Sequence, residues 1–93
     1  MKDIEKTDIE KTVKDILISK LNIHESEITP EVHFVKDLGL DSLDYIEIIM
    51  EFEQAFDIRI PDTESASLVT FQKAIQYIEN KLLETKNKIV ETV

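Results

Sequence analysis

Apolar residues recur at helical spacing in three stretches of this chain, and the periodicity lapses between them. Ile9, Val13, Ile16, Leu17 and Leu21 fall at i, i+4, i+7, i+8 and i+12, one stripe of a 3.6-residue helix. Lys, Glu and Asp fill the positions between, with Glu10 and Lys14 at the supportive i, i+4 spacing. The pattern predicts a first helix over about 4–21, closed by Asn22, which tolerates left-handed backbone. Nothing in it suggests chemistry, and it reads as scaffold.

A second helix is predicted over 42–56. On a wheel with Ser42 at zero, Tyr45, Ile48, Ile49, Phe52, Ala55 and Phe56 occupy roughly 220–340°, a wide core face. Asp44, Glu47 and Glu51 fall at roughly 140–200°, an acidic stripe. Leu43, Ile46 and Met50 lie at roughly 40–100°, between the serine and that stripe. A helix with one buried face does not need this second apolar strip. It reads as a docking surface, against the plainer alternative that the bundle wraps far enough to bury it.

The last helix is predicted over 71–83, with Phe71, Ala74, Ile75, Ile78 and Leu82 on its core face and Thr70 as its cap. Residues 84–93 carry no cap or glycine and are expected to fray. Pro61 ends the second helical pattern, and Asp62-Thr63-Glu64 resembles the acidic first turn of a short third helix. In the connection 23–40, Ile28, Val32, Phe34, Val35 and Leu38 are too apolar for a free linker, so this loop is expected to pack on the bundle. Thr29-Pro30-Glu31 marks a turn within it, or a single helical turn with Pro at its start. The expected fold is all-α: a small four-helix bundle of three longer helices and one short one, with a long packed loop between the first two.

Composition narrows this further. Ninety-three residues, 42% of them hydrophobic, suffice for one core and therefore one domain over 1–93. One glycine and two prolines are too few turn residues for a multi-stranded sheet. With no cysteine, no disulfide and no thiol of the protein's own can take part in its function. No apolar run is long enough to span a membrane, and the first residues lack the apolar middle of a signal peptide. The cytoplasm is the expected compartment. His24 and His33 are not at metal-ligand spacing and read as loop or surface residues, so no metal is expected.

The charge is local. Residues 37–64 hold nine acids against Arg59 alone, a net −8 of the overall −9. A field of that sign repels nucleic-acid phosphates and steers basic partners in; a merely solubilising surface is the competing reading.

Its centre is Asp37-Leu38-Gly39-Leu40-Asp41-Ser42-Leu43-Asp44. Gly39 supplies the backbone freedom to end one segment abruptly. Asp41 fits the helix cap, and Asp44 favours the helix dipole. Ser42 is then left with a free hydroxyl. As a nucleophile of the chain's own, it lacks a Gly-x-Ser-x-Gly elbow and an oriented histidine, and nearby carboxylates oppose an alkoxide. No catalytic residue is assigned, and the chain reads as a non-enzyme. As a site modified by another enzyme, it has amide N–H groups and a helix dipole facing a phosphodiester.

The 37–44 stretch is similar to the prosthetic-group site of acyl carrier proteins, whose core is Asp-Ser-Leu after an Asp-Leu-Gly. Phe34-Val35 before it, Glu47 and Met50 after it, Phe56-Asp57, Ile60-Pro61-Asp62 and residues 72–78 resemble the bacterial fatty-acid type, over roughly residues 9–82. The resemblance implies a 4′-phosphopantetheine arm transferred from coenzyme A onto Ser42 by a phosphopantetheinyl transferase. Acyl chains would ride on the arm as thioesters, and Asp41 would cap the helix beside it. Asp41, Asp44, Glu47 and Glu51 would meet basic patches on fatty-acid-synthesis enzymes, with Leu43, Ile46 and Met50 as the apolar contacts. A cytoplasmic monomer with no nucleic acid and no membrane span is implied. Leu40 stands where the family favours alanine, implying a bulkier surface beside the arm. Ser65-Ala66-Ser67 makes the third helix less acidic than is usual. A specialised carrier for polyketide, accessory lipid, peptide or D-alanyl transfer is the alternative. An unmodified acidic helical adaptor and a calcium-binding module stand further off, since Asp37, Asp41 and Asp44 do not match the ligand spacing of an EF-hand loop.

Overall fold

The computed structural model describes the backbone of residues 6–91 and the side chains of 7–84. The elements are α1 (Lys6–Leu21), α2 (Ser42–Phe56), α3 (Asp62–Ser65) and α4 (Phe71–Glu91), with a 3-10 turn at Glu25–Glu27 between α1 and α2. The architecture is the expected all-α bundle of three longer helices and one short one, without strands among the described residues. α1 packs against both α2 and α4. The expected start of α1 near residue 4 lies outside the described residues.

Amphipathic patterning places the core. Ile9, Val13 and Leu17 of α1 are buried, while Ile16 and Leu21 pack at its margin. Ile48, Ile49, Phe52 and Phe56 of α2 and Phe71, Ala74, Ile75 and Ile78 of α4 join it, with Ile28, Val32, Phe34, Leu40, Ile60 and Leu68 from the connections. Ala55, expected on the buried face of α2, is exposed. Its single methyl gains little from burial, so the buried arc narrows to the larger side chains.

Chain reversals follow the residues that permit them. Asn22 closes α1 at φ 55° and Asp57 closes α2 at φ 54°, both short polar side chains suited to the left-handed region. Thr70 Oγ1 accepts the Lys73 N–H at 3.2 Å, capping α4 as expected. α4 does not end near residue 83 but continues to Glu91; no glycine or proline intervenes to stop it. The Glu10–Lys14 pair does not form. Lys14 instead reaches Glu25 at 3.6 Å and lies over the Phe71 ring at 5.9 Å. The i, i+4 pair that does form is Lys11–Asp15, at 3.4 Å.

The 23–40 connection packs, as its apolar content requires. Ile28, Val32 and Phe34 are buried, and Phe34 is fully enclosed. Backbone bonds tie this loop to the start of α4: Phe34 N–H to Val69 O at 2.9 Å, Phe71 N–H to Val32 O at 3.2 Å, and Gln72 N–H to Pro30 O at 3.0 Å. These satisfy polar groups that burial of the neighbouring side chains takes from water. They also make the loop a fixed platform for the start of α2. Val35 is an exception, since it stays about half exposed.

α3 is held differently. None of its residues is buried, so apolar contact does not keep it in place. The Tyr45 hydroxyl donates to the carbonyls of Ser65 and Leu68, and the Tyr77 hydroxyl donates to Glu64. Lys81 pairs with the same carboxylate at 3.6 Å. Burial pushes the Tyr45 hydroxyl's pKa up.

Candidate functional site

The platform of residues 33–40 delivers the chain to α2. Gly39 takes φ +73°, where an L side chain is strained, and Leu40 then enters the core at 4% exposure. The bulk of Leu40 therefore goes inward and does not enlarge the surface beside Ser42. Asp41 follows in extended backbone, and its Oδ1 accepts the Asp44 N–H at 2.8 Å. Its carbonyl accepts the Tyr45 N–H at 2.9 Å. Asp41 is thus the cap that the sequence predicts.

With the cap supplied by its neighbour, Ser42 is exposed and its hydroxyl has no hydrogen-bond partner among the described residues. The N–H groups of Ser42 and Leu43 also lack partners, as the first donors of a helix must unless capped. Ser65 and Ser67, by contrast, donate their hydroxyls to the carbonyls of Asp62 and Glu64. Ser42 has a free nucleophilic atom beside two free N–H donors.

Downstream, Leu43, Ile46 and Met50 are 68%, 54% and 50% exposed. The bundle does not wrap around them, and the alternative of a wide buried arc is excluded. The carboxylates expected to flank this strip divide into two sets. Asp44 and Glu47 are exposed and have no partner among the described residues. Glu51 is half-buried and pairs with Lys20 of α1 at 3.2 Å. Glu53 turns inward, accepting the Ile60 N–H at 2.8 Å. One residue of the expected acidic stripe, Glu51, is therefore shared with the fold, and Asp41 lends one oxygen to its cap.

Sequence reasoning missed the part played by His33. It is half-buried in the loop, and its Nδ1 accepts the N–H groups of Val35 and Lys36. The sequence gives little signal for it: a capping box sets its reciprocal carboxylate three residues on, whereas Asp37 stands four on.

A free hydroxyl at the start of a capped helix, flanked by an exposed apolar strip and unpaired carboxylates, suits a surface presented to other proteins. Among the described residues no side chain hydrogen-bonds the Ser42 hydroxyl to act as its base. The family model described as the phosphopantetheine attachment site matches residues 11–78, more than half of the chain, and the chain belongs to that family. It is a carrier protein and not an enzyme. Its family carries 4′-phosphopantetheine and works with phosphopantetheinyl transferases and acyl-processing enzymes. The residues fit such a group: an unencumbered hydroxyl can form the ester, and two unsatisfied N–H groups can face the phosphate. When bound, the group supplies the reactive thiol that a chain without cysteine lacks. No helix of the described residues is long and apolar enough to cross a membrane.

Proposed function

We propose that residues 1–93 form a single acyl carrier domain of the bacterial fatty-acid type, monomeric and cytoplasmic, with Ser42 as the attachment point. In the loading step the Ser42 Oγ–P bond forms and the pyrophosphate P–O bond of coenzyme A breaks. Adenosine 3′,5′-bisphosphate leaves, and the transferase removes the hydroxyl proton. The loaded carrier then holds acyl chains as thioesters for fatty-acid-synthesis enzymes.

The observation that carries this reading is the free Ser42 hydroxyl at the capped start of α2. The exposed strip of Leu43, Ile46 and Met50 supports it, as do the unpaired carboxylates of Asp44 and Glu47. Basic docking patches on partner enzymes complement that combination of charge and apolar area. Asp41 and Glu51 stand at the rim of the same surface, each already bound within the fold.

Incubation with coenzyme A and a broad-specificity transferase, read by intact mass, tests the reading. The expected result is one added phosphopantetheine in the wild type and none in Ser42→Ala. A wild type that stays unmodified, or a gain that persists in Ser42→Ala, overturns it. Loading by ketosynthase-type partners in preference to adenylating ones distinguishes fatty-acid cargo from amino-acid cargo.

A further inference from the structure

The turn before Ser42 is capped by an imidazole. Residues 34–38 make a turn with His33 at its head. His33 Nδ1 accepts the N–H of Val35 at 3.2 Å and of Lys36 at 3.0 Å. These are the two donors that a Ser, Asn or Asp cap would take at the start of a helical turn. A ring nitrogen accepting two N–H groups carries no proton, so the neutral ring holds its proton on Nε2. Asp37 Oδ2 returns the contact by accepting the His33 N–H at 2.8 Å, one residue beyond the place of the reciprocal partner in a capping box.

The same residue is tied on its other sides. The His33 carbonyl accepts the N–H of Asp37 at 2.9 Å and of Leu38 at 3.1 Å, and its backbone bridges to Thr70 at the start of α4. The far end of the turn leads directly to the site. Gly39 N–H bonds Val35 O at 3.0 Å, and Leu40 N–H bonds Phe34 O at 3.2 Å. The conformation of residues 39 and 40 therefore depends on the turn being closed, and residue 41 begins where they leave the chain.

We propose that His33 is a positioning residue for the modification of Ser42: by capping the 34–38 turn, its imidazole holds the approach to α2 in the shape a transferase accepts. The proposal rests on the reading of Ser42 as the attachment point, and the covalent step is the transfer of phosphopantetheine from coenzyme A to Ser42 Oγ. His33 touches no reacting atom. It sets the fraction of molecules whose Ser42 is correctly presented, and a smaller competent fraction weakens apparent affinity without altering the chemistry.

The test measures transferase kinetics with the carrier as variable substrate, alongside amide exchange at Val35 and Lys36. His33→Ala should raise the KM for the carrier by about fivefold, the scale of one lost cap, with kcat essentially unchanged. Exchange at Val35 and Lys36 should quicken in step. His33→Asn, whose side-chain oxygen can accept from the same donors, should restore both. Nitrogen-15 spectra of the wild-type ring should show the Nε2–H tautomer. If His33→Ala loses the fold, Asp37→Ala removes only the reciprocal bond and should raise the KM about twofold, a smaller loss of the same capping kind. An unchanged KM in the folded variant, no rescue by Asn, or an Nδ1–H ring overturns the proposal while leaving Ser42 as the attachment point. A wild type that is never modified overturns both.

Discussion

The two faces of α2 carry similar apolar side chains under opposite conditions. Inward, Ile48, Ile49, Phe52 and Phe56 are buried among α1, α4 and the packed loop. Outward, Leu43, Ile46 and Met50 stand at least half exposed. The carboxylates divide in the same way. Glu51 and Glu53 are bound to Lys20 and to the Ile60 N–H, whereas Asp44 and Glu47 are bound to nothing among the described residues. Composition alone does not separate what a helix contributes to its own fold from what it offers to others; the partners of each side chain do.

Substitution should break the symmetry between the faces most sharply in the core. Phe52→Ala removes a fully enclosed ring and should cost about 3–5 kcal/mol in denaturant unfolding. That is a large share of the roughly 5–15 kcal/mol a domain commonly has. Leu43→Ala, Ile46→Ala and Met50→Ala should each stay within about 0.5 kcal/mol while weakening capture by partner enzymes. Comparable losses on both faces would contradict the division.

The carboxylates offer a second contrast. Reversing the free pair, Asp44→Lys with Glu47→Lys, should slow loading by a transferase about tenfold at low salt. Added salt should shrink the difference. Among single neutralisations, Glu51→Gln should do less than Glu47→Gln, because Lys20 already screens the Glu51 charge. Equal effects in stopped-flow or steady-state assays would show that the Lys20 pair does not matter to recognition.

The start of α2 can be divided in the same manner. Asp41→Ala should destabilise by about 1 kcal/mol through loss of the cap, and Ser42→Ala by less than about 0.5 kcal/mol because its hydroxyl bonds nothing. Thermal unfolding of the two variants side by side checks the assignment of cap and free hydroxyl.

The smallest expected effect concerns α3. The Tyr77 hydroxyl bonded to Glu64 holds its carboxyl below the usual carboxylate range, partial burial opposes this, and Lys81 adds to the lowering. A depressed folded value means stability that is present above the ordinary carboxylate pKa of about 4 and lost as pH falls through the folded value. Wild type and Glu64→Ala should therefore differ slightly at neutral pH and converge in strong acid. Tyr77 is raised, first by burial and then by the Glu64 bond, so its contribution holds below the ordinary tyrosine pKa and fades as strong base ionises it. Titration of unfolding midpoints in both directions measures these shifts.

Much of this was legible in the chain because periodicity reports burial directly. The stripe Ile9, Val13, Leu17 and the bounds of α2 needed only the 3.6-residue repeat and the capping chemistry of Asp41. Ala55 was misplaced because a methyl at the edge of an arc satisfies the pattern without being driven inward. The Lys20–Glu51 pair could not be read, since it joins residues far apart in sequence that only packing of α1 on α2 brings together. The cap at His33 was hidden for another reason. Imidazole rarely serves there, and its acceptor nitrogen gains meaning only once the N–H groups of Val35 and Lys36 converge on it.

The chain holds five serines, at 19, 26, 42, 65 and 67, and exposure alone does not single one out: Ser19 and Ser26 are also at the surface. Only Ser42 combines a free hydroxyl with the unsatisfied first N–H groups of a long capped helix. Fragmentation mass spectrometry of protein loaded by a transferase from coenzyme A would locate the added group by residue. Phosphopantetheine confined to Ser42 is the expected result; the group on any other serine, or on none, contradicts the assignment.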